Sequence, residues 1–207
     1  GALFNVAAGE DARRGVEERP ELHITPWEKQ AWGITGGDSL RVFELGAMKF
    51  GVLVCYDSEF PEATRVLADA GIDLLFVPYC TDDRQAYARV RYCAHARAIE
   101  NQIYVVTAGV TGNLPDVPAM DIHYARTATF SPSDLGFARD GIVAEADANV
   151  ETLLVSELDL AALDRVRSTG SVTPRLDRRP DLFRLASSAS PEGERLAYVR
   201  PVSAPDS

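Results

Sequence analysis

Three almost uninterrupted apolar runs, Lys49 to Cys55, Ile72 to Tyr79 and Ile103 to Ala108, are spaced so that one helix fits in each gap. A run without polar alternation suits a strand buried on both faces. In the first gap Pro61 opens a helix that reaches Ala70, and Gly71 stops it. In the second, Asp82 to Gln102 carries Tyr87, Val90, Ala94 and Ala98 at helical spacing, with arginines on the other faces. Parallel strands need such crossovers, so the middle of the chain reads as α/β. Strands ending near Val54, Pro78 and Thr107 are expected side by side in one sheet, with both helices on one face.

The flanks add antiparallel character. Arg41 to Leu45 alternates like a strand, and Gly46-Ala47 turns it back into the Lys49 strand. Thr127 to Ser131 and Glu151 to Leu158 read as further strands, and Leu160 to Arg167 as a short helix, so the sheet is expected to be mixed. Upstream, Ala2 to Ala7 fits a strand. Gly9 to Pro20 is charged and reads as a loop or short exposed helix. Residues 23–39, with Pro26, Gly33, Gly36 and Gly37, read as a long loop. From Ala186 the composition turns to Ser, Ala, Pro and charge, which predicts a surface arm or disordered tail. Without internal repeat or long linker, residues 1–185 are expected to form one domain and 186–207 an arm. A chain of 207 residues is long enough for a sizeable core.

Charge and cysteine usage exclude several function classes. A net charge of −10 argues against nucleic acid, whose phosphates are bound by clustered Lys and Arg. No apolar run approaches the ~20 residues that span a bilayer, so no membrane partner is expected. Gly1 to Gly9 has no basic region followed by an apolar stretch, so no signal peptide is expected. Three cysteines, Cys55, Cys80 and Cys93, make no disulfide framework, and a reducing cytoplasm is the default. There is no C-x-x-C pair and His23, His95 and His123 are scattered, so no metal site is expected. Gly33 to Gly37 lacks the spacing and Lys of a phosphate loop.

The chemistry concentrates in Gly51-Val-Leu-Val-Cys55-Tyr-Asp-Ser-Glu-Phe60-Pro. Here a cysteine ends a buried strand just before a Pro-started helix. Strand C-terminal ends are where open α/β sheets build their sites. A sharp turn would expose the thiol and aim the Tyr56 N–H at a carbonyl under attack. Such a thiol needs a base or a positive neighbour to ionise at neutral pH. Asp57 and Glu59 are close in sequence, which makes neither of them a base. Cys80 also follows an apolar strand, and free cysteines commonly pack as small hydrophobes, so position alone leaves both open. Cys93 lies near the apolar stripe of its helix and reads as core. Neither His95 nor His123 offers the pairing that a cysteine protease needs. Arg91, Arg97 and Glu100 read as a structural ion-pair network, and Asp82, Asp83 and Arg84 could line a pocket near Cys80.

Val54-Cys-Tyr-Asp-Ser-Glu-Phe-Pro-Glu62 resembles the nucleophile motif of the nitrilase superfamily. His23-Ile-Thr-Pro-Trp-Glu28, Gly36-Gly-Asp-Ser-Leu-Arg-Val-Phe43, Ala96-Arg-Ala-Ile-Glu-Asn101, Asn113-Leu-Pro-Asp, Phe130-Ser-Pro and Asp140-Gly-Ile-Val resemble the same family in order. The resemblance runs from about residue 23 to 183. It implies an α-β-β-α sandwich with mixed sheets and a Glu-Lys-Cys triad acting on a small-molecule amide or nitrile, without metal or organic cofactor. It assigns Cys55 as nucleophile, Glu28 as the second glutamate beside the triad, and the Tyr56 N–H as oxyanion donor. It also implies a homodimer or higher oligomer, joined through the helices at 61–70 and 85–101, with an arm from about residue 170 crossing to the partner. Two departures stand out. The position of the family's Lys, two before His23, is Glu21, and Lys29 is out of register. The family's first Glu lies in an upstream strand–helix unit with no counterpart here, so that unit is expected to be missing. The alternative is a catalytically impaired relative or pseudoenzyme that keeps the fold and the oligomer surface.

Overall fold

The computed structural model describes residues 1–11, 15–187 and 197–201. Its elements in chain order are β1 (Val6–Asp11), β2 (Gly15–Pro20), α1 (Pro26–Ala31), β3 (Phe43–Leu45), β4 (Met48–Val52), α2 (Pro61–Asp69), β5 (Leu74–Tyr79), α3 (Arg84–Asn101), β6 (Tyr104–Gly109), β7 (Ala128–Phe130), β8 (Ile142–Glu145), α4 (Leu160–Thr169), β9 (Phe183–Ser187) and β10 (Ala197–Pro201). Six strands form one mixed sheet in the order β3-β4-β5-β6-β7-β8.

The expected parallel centre is present. β4 pairs with β5, and β5 with β6, both in parallel. β3 returns antiparallel on β4 through a turn at Gly46, and β7 and β8 continue antiparallel beyond β6. The apolar stripes of α2 and α3 cover one face: Leu67, Val90, Ala94 and Ala98 pack with Leu53, Leu75, Val77 and Val105. Gly51 allows the close approach, because a Cβ there would lie 2.8 Å from Leu67 Cδ1. On the other face α4 covers one end, with Leu163 packed on Leu74 and Tyr104. Beside it lies an open apolar cleft of about 480 Å³ between Asn5 to Ala8 and the sheet residues Phe50, Val52, Phe76 and Val106.

Several local readings are corrected. The charged stretch Gly9 to Pro20 is mostly hairpin: β1 and β2 pair from Val6↔Pro20 to Asp11↔Gly15. Ladder bonds come from the backbone, so charge on this stretch does not prevent pairing. The loop expected over 23–39 contains α1, which Thr25 caps and Pro26 starts. Glu151 to Leu158 forms no ladder, although Thr129 Oγ1 and Ser156 Oγ meet at 2.9 Å. β9 and β10 pair antiparallel; the rest of the arm or tail expected from residue 186, residues 188–196 and 202–207, lies outside the described part. Among the described residues no helix is long and apolar enough to cross a membrane.

Candidate active site

The site begins where β4 runs out. Leu53 N–H still donates to Phe76 O at 2.9 Å, and two residues later Cys55 adopts a φ of 42°. That is left-handed backbone, which costs a non-glycine residue free energy and persists only where the surroundings enforce it. They do so here through a single 3₁₀ turn, Cys55–Glu59. Asp57 N–H donates to Val54 O at 2.9 Å and Ser58 Oγ to Cys55 O at 2.7 Å. Arg97 of α3, itself buried, donates to Ser58 O at 3.1 Å and Glu59 O at 3.2 Å. The half-buried Cys55 thiol faces Cys80 O, 3.6 Å away at the end of β5. The Tyr56 ring packs edge-on against Phe60.

Asp57 ties this turn to the segment between β2 and α1. Its fully buried carboxylate receives Arg19 Nη1 at 2.5 Å, Leu22 N–H at 3.1 Å, His23 N–H at 2.8 Å, His23 Nδ1 at 2.9 Å and Val54 N–H at 3.3 Å. His23 in turn stacks on Phe60, with ring centroids 3.7 Å apart. Burial alone would raise the Asp57 carboxyl, but the His23 hydrogen bond and the Arg19 charge outweigh it and hold the group below its usual range. Asp57 is therefore an ionised brace, with its oxygens fully engaged. Glu59 pairs with Arg89 at 3.5 Å.

The braced segment also holds Glu21 and Glu28, whose charges act on the thiol. Glu28 completes a capping box on α1: its Oε2 accepts from Thr25 N–H at 3.1 Å and Thr25 Oγ1 at 2.5 Å. Glu21 is buried, with Oε2 accepting from Asn5 Nδ2 at 2.8 Å. Its backbone is pinned on both sides, N–H to Asn5 O at 2.8 Å and C=O from Gly37 N–H at 2.7 Å. Burial pushes the Cys55 thiol up to about 12; the bond to Cys80 O opposes this, and the Glu21 and Glu28 charges add to it. Cys80 is also raised, by burial and by Asp82 and Glu28. Glu28 acts on Cys55, Cys80 and Glu21 alike, so these four side chains share one electrostatic neighbourhood.

Cys55 thus contacts the backbone of Cys80 and feels the charges of Glu21 and Glu28. Lys29 sits exposed on the last turn of α1. Cys93, expected in the core, is half-buried on α3. Asp83 caps α3 by accepting from Ala86 N–H at 2.6 Å, and Arg84 lies over the Tyr124 ring. Arg97 pairs with Glu100 as expected, but Arg91 pairs with Glu145 of β8, which Arg126 also contacts. Arg19 and Asn5 escaped the sequence reading, because their importance lies in bonds to residues 38 and 16 positions away. Among the described residues no cluster of three His, Cys, Asp or Glu could hold a metal ion.

Comparison with known proteins gives consistent results. The carbon–nitrogen hydrolase family model matches residues 9–168. The probable hydrolase YhcX of Bacillus subtilis is 47% identical over 185 residues, covering 89% of this chain and 36% of its own length. Omega-amidase NIT2-A of Xenopus laevis is 30% identical over 192 residues, covering 88% of this chain and 65% of its own. The chain therefore spans between about a third and two thirds of these relatives. Among solved structures, a carbon–nitrogen hydrolase from Helicobacter pylori G27 superposes with a TM-score of 0.70 at 21% identity, over 86% of this chain and 63% of that one. An amidase from Nesterenkonia sp. AN1, of the nitrilase superfamily, gives 0.63 at 23% identity over 86% and 61%. In a structure of a Glu-to-Gln mutant of that amidase, the acetamide moiety of fluoroacetamide is covalently added at its active-site cysteine. The fold is the nitrilase-superfamily α-β-β-α fold.

Proposed function

The chain belongs to the carbon–nitrogen hydrolase family, in which its relatives include an omega-amidase, and from that premise we propose that it cleaves a small amide or nitrile through a thioester or thioimidate on Cys55. For an amide, Cys55 Sγ attacks the carbonyl carbon and the C=O electron pair moves onto oxygen. The C–N bond then breaks, the amine leaves with the thiol proton, and water hydrolyses the thioester. Tyr56 N–H supplies a donor to the oxygen. Glu28 orients the nitrogen end of the substrate and receives the thiol proton. The observation that carries this reading is the left-handed Cys55 at the C-terminal end of a central parallel strand, its thiol under the influence of both glutamates. The test is ammonia release from a panel of small aliphatic and aromatic amides and nitriles, with intact-mass analysis of the protein. Cys55-dependent turnover with an acyl adduct on the Cys55 peptide is expected. Turnover that survives Cys55→Ala would overturn the assignment.

One observation favours a second reading, a catalytically impaired relative that keeps the fold and the oligomer surface. The main charges acting on the thiol are negative, and Glu21 stands where the resembling family has a cation. Turnover restored only by Glu21→Lys would support it. We further propose a cytoplasmic homo-oligomer joined through α2 and α3, whose outer side exposes Tyr92 and Ile99; light scattering measures the assembly directly.

A further inference from the structure

Glu21 and Glu28 act on the Cys55 thiol, and Asp57 ties the turn of Cys55 to the Glu21–His23 segment through Val54, Leu22 and His23 N–H; the three carboxyl groups are not equivalent. Asp57 accepts from five donors, one of them the Arg19 guanidinium, and is held ionised. Glu28 receives both the N–H and the hydroxyl of Thr25. Glu21 receives a single neutral donor, the Asn5 amide, on Oε2, and among the described residues Oε1 makes no hydrogen bond. The nearby cation, Arg19, is engaged with Asp57. A buried carboxyl without a paired cation keeps its proton, because the charged form loses more hydration than one neutral donor and a shared cation return. A proton on Glu21 makes that side chain an O–H donor in the neighbourhood of the thiol.

We propose that Glu21 is a catalytic hydrogen-bond donor: its carboxylic acid O–H binds the carbonyl oxygen of the substrate as Cys55 attacks, filling with a neutral acid the role that a cation would otherwise take. The proposal rests on the reading of Cys55 as nucleophile. In the step, the S–C bond forms and the C=O electron pair moves to the oxygen, which the Glu21 O–H and Tyr56 N–H stabilise. When the tetrahedral species collapses, the pair returns, the C–N bond breaks and the amine departs with the proton that Glu28 took from the thiol. Glu21 ends the step protonated, as it began. A carboxylic acid kept neutral in this way is an effective oxyanion donor. Burial, with Asp57 and Glu28 adding to it, pushes the Glu21 carboxyl up to about 8, so the donor is present at neutral pH.

The test separates the donor from the nucleophile. p-Nitrophenyl acetate acylates a reactive thiol with a burst of p-nitrophenolate, whereas iodoacetamide alkylates it without building an oxyanion. The expected result is a burst in the native protein that Cys55→Ala abolishes. Glu21→Gln, which keeps an N–H donor, retains the burst within about threefold. Glu21→Leu, which keeps the bulk without a donor, slows it roughly 10²-fold, the usual effect of losing one oxyanion donor. Iodoacetamide labels Cys55 at pH 7 equally fast in Glu21→Leu and the native protein, showing that fold and thiol are intact. In the native protein the burst rate per thiolate falls as pH rises through about 8, and in Glu21→Gln it does not. A Cys55-dependent burst that is equally fast in Glu21→Leu overturns the donor role and leaves the nucleophile standing. A native burst that survives Cys55→Ala, or no native burst while iodoacetamide still labels Cys55, overturns the nucleophile and the donor with it.

Discussion

Arg19 Nη1 and Asp57 Oδ2 meet at 2.5 Å with neither side chain reaching solvent. A buried charge that loses its partner is left without solvation, and breaking such a pair costs about 3–5 kcal/mol. Arg19→Met is therefore expected to lower the urea midpoint sharply. A double variant that also removes the Asp57 charge should regain little, because Leu22, His23 and Val54 N–H groups would lose their acceptor. A double-mutant cycle in urea measures the coupling; additive losses would show that the pair is not a unit.

Glu21 makes stability fall as the medium becomes more alkaline. Its folded-state value of about 8 lies above the ordinary 4.5. Its contribution is thus fully present below about pH 4.5 and is lost as pH rises through about 8, since the folded state holds a proton that the unfolded state releases. Glu21→Gln should flatten the stability profile across that window. Urea unfolding at pH 5, 7 and 9 decides it; parallel slopes for the two proteins would place the titration elsewhere.

The Cys55 thiol should be sluggish toward alkylation. At about 12 its thiolate is scarce at neutral pH, and iodoacetamide should label it about 10–100-fold more slowly than an unstructured cysteine. Above pH 8, where Glu21 is ionised, Glu21→Gln should accelerate labelling, and Glu21→Lys should do so further by reversing the charge. Below pH 7 the Gln variant should match the native protein. Peptide-level mass spectrometry distinguishes Cys55 from Cys80 and Cys93; a fast native Cys55 at pH 7 would show that its environment is not net negative.

The left-handed backbone at Cys55 carries a cost that glycine would not bear. Cys55→Gly should unfold at a higher temperature than Cys55→Ala, by the equivalent of about 1 kcal/mol, although neither can form an acyl adduct. Equal melting temperatures would mean that the turn relaxes once the thiol is gone.

The sheet centre was legible because a strand buried on both faces must be apolar throughout, and Phe50 to Val54, Leu74 to Val77 and Tyr104 to Val106 advertise this directly. The strand-end context offered Cys55 and Cys80 alike, and only the resemblance of Val54 to Glu62 to a nucleophile motif chose between them. The pairing of β1 with β2 was not legible, since it is made by backbone groups, and the fully buried Arg19 of β2 finds its partner 38 residues away. The α1 helix was hidden by its length of six residues among glycines. Glu151 to Leu158 has a strand's composition, but a strand exists only where a neighbour accepts its hydrogen bonds. Glu21 was visible as a departure at one position; its burial and its bond to Asn5 depend on packing that no local pattern encodes.

The five donors converging on Asp57 also bear on how the protein comes apart. The ladders of β4, β5 and β6 do not involve residues 1–37, so this segment can detach as a unit in a sub-global opening while the sheet stays closed. Such an opening carries both glutamates away and leaves Cys55 on its turn. The amides of Leu22 and His23 should accordingly exchange with solvent deuterium through a lower free-energy route than those of Leu75 and Val105. On that expectation the surroundings of Cys55 are less persistent than the sheet beneath them, and their lifetime is the residence time of one strap.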